Sequence, residues 1–124
     1  MAGLRHRLIR NTLYTLTNAI RGRTPSIQEL RRMTDLGAMV FFFPWGVERE
    51  SLKIGKIPAE WIIPQKADHN KVILYLHGGG YAIGSKQTHR AMVGQIAKKA
   101  GYCALLIEYR LAPEDPYPAA LEDA

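Results

Sequence analysis

Residues 71–80, Lys-Val-Ile-Leu-Tyr-Leu-His-Gly-Gly-Gly, decide the fold of this 124-residue chain. The nearly continuous apolar run before the histidine predicts a strand over 71–77 that is buried on both faces of a parallel sheet. A triple glycine at the carboxyl end of such a strand lets the backbone turn sharply and present bare N–H groups to a ligand. This loop is therefore the first candidate for a functional site.

The residues after the loop predict a helix over about 88–100 and a strand over 103–109. Strand, helix and strand form a βαβ unit, whose two strands are parallel and joined by a right-handed crossover. Ligands of such sheets bind beyond the carboxyl ends of the strands, where the glycines lie. Upstream, weaker patterns predict shorter strands over 47–54 and 59–63.

The first 44 residues differ from the rest in pattern and in charge. Apolar residues recur every four positions from Leu4 to Ile20 and predict an amphipathic helix. A second helix is expected to begin at Thr24 or Ser26, with Glu29 completing a capping box in the latter case, and to end near Gly37 or Phe43. Residues 1–34 contain seven arginines and one acid, whereas residues 35–124 contain ten basic and ten acidic residues. A basic helix can bind a membrane surface or nucleic acid, but a solvated face is the commoner explanation, and we expect no nucleic-acid partner.

The composition limits which cellular compartment and which cofactors are expected. The single cysteine, Cys103, cannot form an internal disulfide, which favours a reducing compartment, and we expect a cytoplasmic protein. The longest apolar stretch, residues 36–45, is too short to span a bilayer. The arginine-rich start lacks the apolar core of a secretory signal, although a transit peptide stays open. No Cys-x-x-Cys or His-x-x-x-His pair is present, so no metal site is expected.

Glycine-rich loops also bind phosphates, so that alternative needs a test. The dinucleotide pattern fails because Ile83 stands where its third glycine should be, and the P-loop pattern fails because Ser85 and Lys86 are in reversed order. Nucleotide binding is therefore disfavoured. Stabilisation of an oxyanion by backbone N–H groups is one of the few chemistries that need such a loop, and one donor is worth about 3 kcal/mol of the barrier.

Four segments together resemble the hormone-sensitive-lipase family of α/β-hydrolases. They are His77-Gly-Gly-Gly-Tyr81 with Gly84-Ser85, Tyr109-Arg-Leu-Ala-Pro-Glu114, Pro118-Ala-Ala-Leu-Glu-Asp-Ala124, and Gly55-Lys-Ile-Pro-Ala-Glu-Trp-Ile62. The last is similar to the bacterial esterases and lactone hydrolases of that family. The resemblance covers residues 45–124, and residues 1–44 would correspond to part of the family's helical cap.

The resemblance implies an α/β fold: the N-terminal part of an α/β-hydrolase, with a doubly wound, mostly parallel sheet preceded by cap helices. It implies a serine carboxylesterase or lipase that acts on a small-molecule ester or lactone and needs no metal or organic cofactor. It also implies roles for seven residues. Gly78 and Gly79 would donate to the oxyanion, His77 and Gly80 would support the loop, Tyr81 would line the substrate pocket, and Arg110 and Glu114 would hold the following loop.

The nucleophile itself is missing from the sequence. No Gly-x-Ser-x-Gly occurs, Ser85 is expected to cap the helix that follows it, and His89 to pack or bond locally. Asp115 and Asp123 precede any such serine and do not fit the family's order of Ser, acid and His. We therefore expect a truncated enzyme that is inactive alone, whose 71–77 strand becomes an open edge prone to self-association. The alternative is a non-catalytic remnant or interaction module that binds a partner or a membrane surface.

Overall fold

The computed structural model, which describes residues 3–124, contains one four-stranded sheet with the first three helices stacked on one face. The elements are α1 (Leu4–Ala19), α2 (Ile27–Ala38), β1 (Val47–Ile54), β2 (Ile57–Pro64), β3 (Asp68–Leu76), α3 (Lys86–Ala100), β4 (Tyr102–Ile107) and α4 (Ala119–Asp123). Helix α3 packs on β2 and β4, α2 packs on α3, and α1 packs on α2. Over residues 3–124, no helix is both long enough and apolar enough to cross a membrane.

The sheet order is β1-β2-β4-β3, and the predicted βαβ unit is present as β3, α3 and β4. Strands β3 and β4 are parallel, as expected, while β1 with β2 and β2 with β4 are antiparallel. A mostly parallel sheet was expected for the fold as a whole. Over the described residues the sheet is mixed, because β1 and β2 form a hairpin whose second strand runs against β4.

Most helix and strand boundaries lie within a few residues of those predicted from local sequence patterns. Strand β1 spans the predicted residues, while β2 and β3 start earlier than expected and β4 ends two residues sooner. Ser85 caps α3, as predicted, by accepting a hydrogen bond from the Thr88 N–H, and Gly101 ends it in the left-handed conformation with φ 72°. Of the two candidates for the cap of α2, Ser26 forms the capping box with Glu29.

The core lies between α3 and the sheet. Side chains alternate along a strand, so Ile62 of β2 and Ala104 and Leu106 of β4 face the same side, where they meet Val93 and Ala97 of α3. The opposite face is covered only in part, by residues 109–124. Helix α3 directly follows the glycine loop in the chain. Its packing on β2 and β4 therefore holds the loop at the carboxyl end of β3.

The prediction that the strand before the glycines is buried on both faces is wrong for the described residues. Val72, Leu74 and Leu76 are 51%, 51% and 45% exposed. The reason is geometric: β3 lies at the edge of the sheet and pairs only with β4 within residues 3–124, and α3 covers one face alone. The expectation of an open, apolar edge at this strand is thus confirmed.

Candidate functional site

The glycine loop between β3 and α3 folds into a tight turn that only glycine permits at its centre. Gly79 has φ 137°, and a Cβ atom added there would lie 1.9 Å from the carbonyl oxygen of Ile83. The Gly79 carbonyl accepts hydrogen bonds from the N–H groups of Ala82 and Ile83, at 3.2 and 3.0 Å. This turn directs the backbone just after β3 out of the sheet.

The N–H groups of Gly78 and Gly79 are not consumed by the fold. Within residues 3–124, neither donates to a backbone carbonyl. Gly78 is exposed and Gly79 is half-buried. Two adjacent N–H groups without a backbone acceptor within the described residues therefore lie just past the carboxyl end of β3.

The buried side chain of His77 contacts both the glycine loop and Tyr109. Its side chain is 2% exposed, and its Nδ1 atom lies 3.0 Å from the Gly78 carbonyl oxygen, to which the Nδ1–H tautomer donates. The imidazole stacks on Tyr109 with ring centroids 4.3 Å apart, and the Tyr109 hydroxyl donates to the His77 carbonyl. Burial lowers the pKa of His77, which keeps the ring neutral near neutral pH.

A cavity of about 850 Å³ opens beside the loop. Its wall includes the three glycines, Tyr81 and Tyr109, together with residues from the segment between Ala112 and Ala124. Burial raises the pKa of the Tyr109 hydroxyl, so it stays protonated as a donor. Tyr81, predicted as a pocket residue, lies on this wall and has a φ of 59°.

Arg110 and Glu114 hold different parts of the chain. Arg110 donates to both carboxylate oxygens of Asp123 and to Glu122, and so fastens α4 against the end of β4. Hydrogen bonds from Arg110 hold the pKa of Asp123 below its usual range. Glu114 instead accepts from Arg31 of α2, and these hydrogen bonds lower its pKa.

The other candidate residues make local contacts. Ser85 donates to Asp35 at 2.6 Å while it caps α3, and the Nδ1 atom of His89 lies 2.7 Å from the Thr88 hydroxyl oxygen. Asp115 lines the cavity. The structure therefore brings the glycine loop, Tyr81 and Tyr109 together and leaves Ser85 in its capping role.

Sequence reasoning missed two charged residues. Glu60 is 3% exposed on the α3 side of β2, next to Arg90 at 3.2 Å and Arg49 at 4.0 Å. A charged residue on the same strand face as Ile62 was a signal for a buried pair. Arg31 contacts both loops of the site, but nothing in the sequence separates it from the other six N-terminal arginines.

The βαβ unit, the glycine loop after its first strand and the cavity beside that loop are features that α/β-hydrolases share. Residues 73–124 match the family model described as "alpha/beta hydrolase fold". The chain therefore has the α/β-hydrolase fold. Its structural neighbours are esterases of the bacterial hormone-sensitive lipase family, and the resemblance expected from the sequence is confirmed.

Three comparisons show the extent of the similarity. An esterase from the bacterial hormone-sensitive lipase family has a TM-score of 0.80 and 36% identity, covering 99% of this chain and 41% of that one. An acetyl-hydrolase of Streptomyces hygroscopicus is 46% identical over 71 residues, which are 57% of this chain and 23% of the relative. A putative acetyl-hydrolase, LipR, of Mycobacterium tuberculosis is 38% identical over 80 residues, 64% of this chain and 26% of the relative. The chain thus spans less than half the length of these relatives.

Proposed function

We propose that this chain supplies the oxyanion-binding part of a carboxylic ester hydrolase of the esterase, lipase or lactone hydrolase type. The observation that carries the proposal is the pair of N–H groups of Gly78 and Gly79, unpaired within the described residues and set on the wall of the cavity. Glycine permits a carbonyl to approach the backbone closely at this point. The relatives that it matches are acetyl-hydrolases and esterases, which supports a small-molecule ester as substrate, while a lactone is proposed on the resemblance of residues 55–62 alone.

In the proposed reaction, a serine outside this sequence attacks the ester carbonyl with the help of a histidine and an acid. The carbonyl oxygen gains negative charge and accepts hydrogen bonds from Gly78 and Gly79, the alcohol leaves, and water then hydrolyses the acyl-enzyme. His77 and Gly80 would support the loop, and Tyr81 would contact the acyl or alcohol group. No metal or organic cofactor takes part. Residues 1–44 would form a cap segment and residues 45–124 the first part of the catalytic domain, in a cytoplasmic protein.

The first test separates a donor site from a complete enzyme. The chain alone is expected to show no hydrolysis of a chromogenic short-chain ester, because no Gly-x-Ser-x-Gly occurs in it. A chimera in which it replaces the matching 41% of the similar hormone-sensitive-lipase-family esterase is expected to hydrolyse the ester and to lose activity to a serine-directed organophosphate. Organophosphate-sensitive turnover by the chain alone would contradict the missing nucleophile. A folded chimera that is inactive would contradict the donor role and favour the alternative, a non-catalytic module that binds a partner or membrane surface.

We also propose that the open edge of β3 makes the chain self-associate. The other edge strand, β1, has the sequence Val-Glu-Arg-Glu-Ser-Leu-Lys-Ile, whose charges discourage pairing, whereas β3 exposes three large apolar side chains. Leu74→Lys places a charge in the middle of that edge. It is expected to raise the dissociation constant of the assembly at least about tenfold, as measured by sedimentation. Ile54→Lys, on β1, is the matched control and should change it little. A monodisperse monomer of the unchanged chain would contradict the proposal.

A further inference from the structure

One face of α2 contacts the glycine loop and the loop after β4 at the same time. The Arg31 Nε–H donates to the Ala82 carbonyl and the Nη2–H to the Ala112 carbonyl, both at 2.8 Å. One helical turn later, Asp35 accepts from the Ser85 hydroxyl at 2.6 Å. We call Arg31 and Asp35 the α2 clamp. The α2 clamp binds Ala82 and Ser85, the two ends of the segment 82–85, and it also binds Ala112 in the loop after β4.

The arginine of the α2 clamp is held in a fixed orientation. Arg31 makes a two-pronged ion pair with Glu114, through Nη1 to Oε1 at 2.9 Å and Nη2 to Oε2 at 2.8 Å. Its side chain is only 24% exposed. Bidentate arginine–carboxylate pairs are stronger and more directional than single contacts. The remaining donors of Arg31 are thereby aimed at the two loop carbonyls.

The two residues whose carbonyls accept from Arg31 also donate, through their N–H groups, hydrogen bonds that shape the glycine loop. Ala82 is the residue whose N–H closes the turn on the Gly79 carbonyl, and the Ala112 N–H donates to the Tyr81 carbonyl at 2.8 Å. Arg31 thus links the glycine loop to the loop after β4, next to the hydrogen bond that already joins them between Tyr81 and Ala112. The orientation of Gly79 depends on a turn that α2 holds from outside.

We propose that Arg31 is a positioning residue: docking of α2 through the α2 clamp fixes the glycine loop in the conformation that exposes the Gly78 and Gly79 N–H groups. The cap segment and the donor site are therefore energetically coupled, and release of α2 loosens the loop. An exposed ion pair alone would contribute little. The bonds to two carbonyls from separate loops are what give Arg31 this role. The use of the loop in ester hydrolysis rests on the proposed function, whereas the coupling is a property of this chain.

Amide hydrogen exchange on the whole chain tests the coupling. Arg31→Gln is expected to speed exchange of the Ala82, Ile83 and Ala112 amides about tenfold or more, while the amides of β4 keep their rates. Arg32→Gln is the matched control, since Arg32 is exposed on the same helix, and it should change them less than about twofold. Arg31→Lys keeps the charge but lacks the planar fork, so an intermediate increase is expected. Unchanged loop rates, or equal increases in the loop and in β4, would overturn the proposal.

The coupling must also act in the reverse direction, because an interaction free energy between two sites is reciprocal. Gly79→Ala, which displaces the loop, is expected to speed exchange in α2 around Arg31 and Asp35. Gly55→Ala is the control: it also places alanine at a positive φ, 60°, but in the distant β1–β2 turn with no atom within 4 Å of the new Cβ. Unchanged exchange in α2 on Gly79→Ala would overturn the coupling. An inactive chimera with the coupling intact would count against the proposed function alone.

Discussion

Replacing Gly79 by alanine is expected to lower kcat of the esterase chimera at least about a hundredfold, equivalent to roughly 3 kcal/mol of transition-state stabilisation. The methyl group would lie 1.9 Å from the Ile83 carbonyl oxygen, and φ 137° is closed to alanine. The turn must therefore open, and both N–H groups move away from the oxyanion. Because these donors act most strongly on the transition state, the loss should fall on kcat more than on KM.

Gly80→Ala provides the control for this result. Gly80 also has a positive φ, 61°, but nothing lies within 4 Å of an added Cβ. Strain at such a position costs about 1–2 kcal/mol in stability without moving the neighbouring turn, so kcat should fall less than about tenfold. Kinetics with the short-chain ester and circular dichroism of each variant give the comparison. Equal losses of kcat for the two variants would show that the loop tolerates no substitution at either glycine. The contact of the added methyl group with Ile83 would then not explain the effect of Gly79→Ala.

Replacing Arg90 by methionine is expected to destabilise the fold by about 3 kcal/mol. Glu60 is 3% exposed, and Arg90 is the nearest cation to its carboxylate, at 3.2 Å. Without Arg90, the ion pair that this carboxylate keeps within residues 3–124 is the one with Arg49, at 4.0 Å. The two side chains are close without an aligned hydrogen bond at the Oε2 atom of Glu60, which places the loss at the low end for a broken buried pair. Urea unfolding in the Leu74→Lys background, followed by tryptophan fluorescence, measures it free of self-association.

The double variant Glu60→Leu with Arg90→Met is expected to recover most of that stability, since removing both charges leaves no carboxylate to desolvate. Arg49→Met, on the more exposed partner, should cost less than about 1 kcal/mol. If the double variant were as unstable as Arg90→Met, the loss would come from packing of the arginine stem instead of from the stranded charge.

The sequence predicted those parts of the fold that depend on neighbours along the chain. Strand β1, the cap at Ser85 and the end of α3 at Gly101 follow from alternation, hydrogen-bonding side chains and glycine at a left-handed position. The glycine loop was found for the same reason. Its geometry needs residue types at fixed short spacings, and these can be read directly.

Contacts between distant segments could not be predicted in this way. Arg31 reaches carbonyls 51 and 81 residues away, and no local pattern marks it among several exposed arginines. The burial of β3 was overestimated because an apolar strand shows its composition in the sequence but not which of its sides has a neighbour. The Glu60–Arg90 pair joins a strand to a helix, and only the packed structure shows that the two charges meet.

The uneven protection of the sheet limits what shape an assembly of this chain can take. Molecules whose sheets can pair through both edge strands can add further copies at each end and so form filaments. Within residues 3–124, the charges of the edge strand β1 discourage pairing, which leaves the other edge, β3, as the more favourable one for a further strand. In the proposed self-association, pairing through β3 would use that edge in both molecules, so growth would stop at a closed pair related by a two-fold axis.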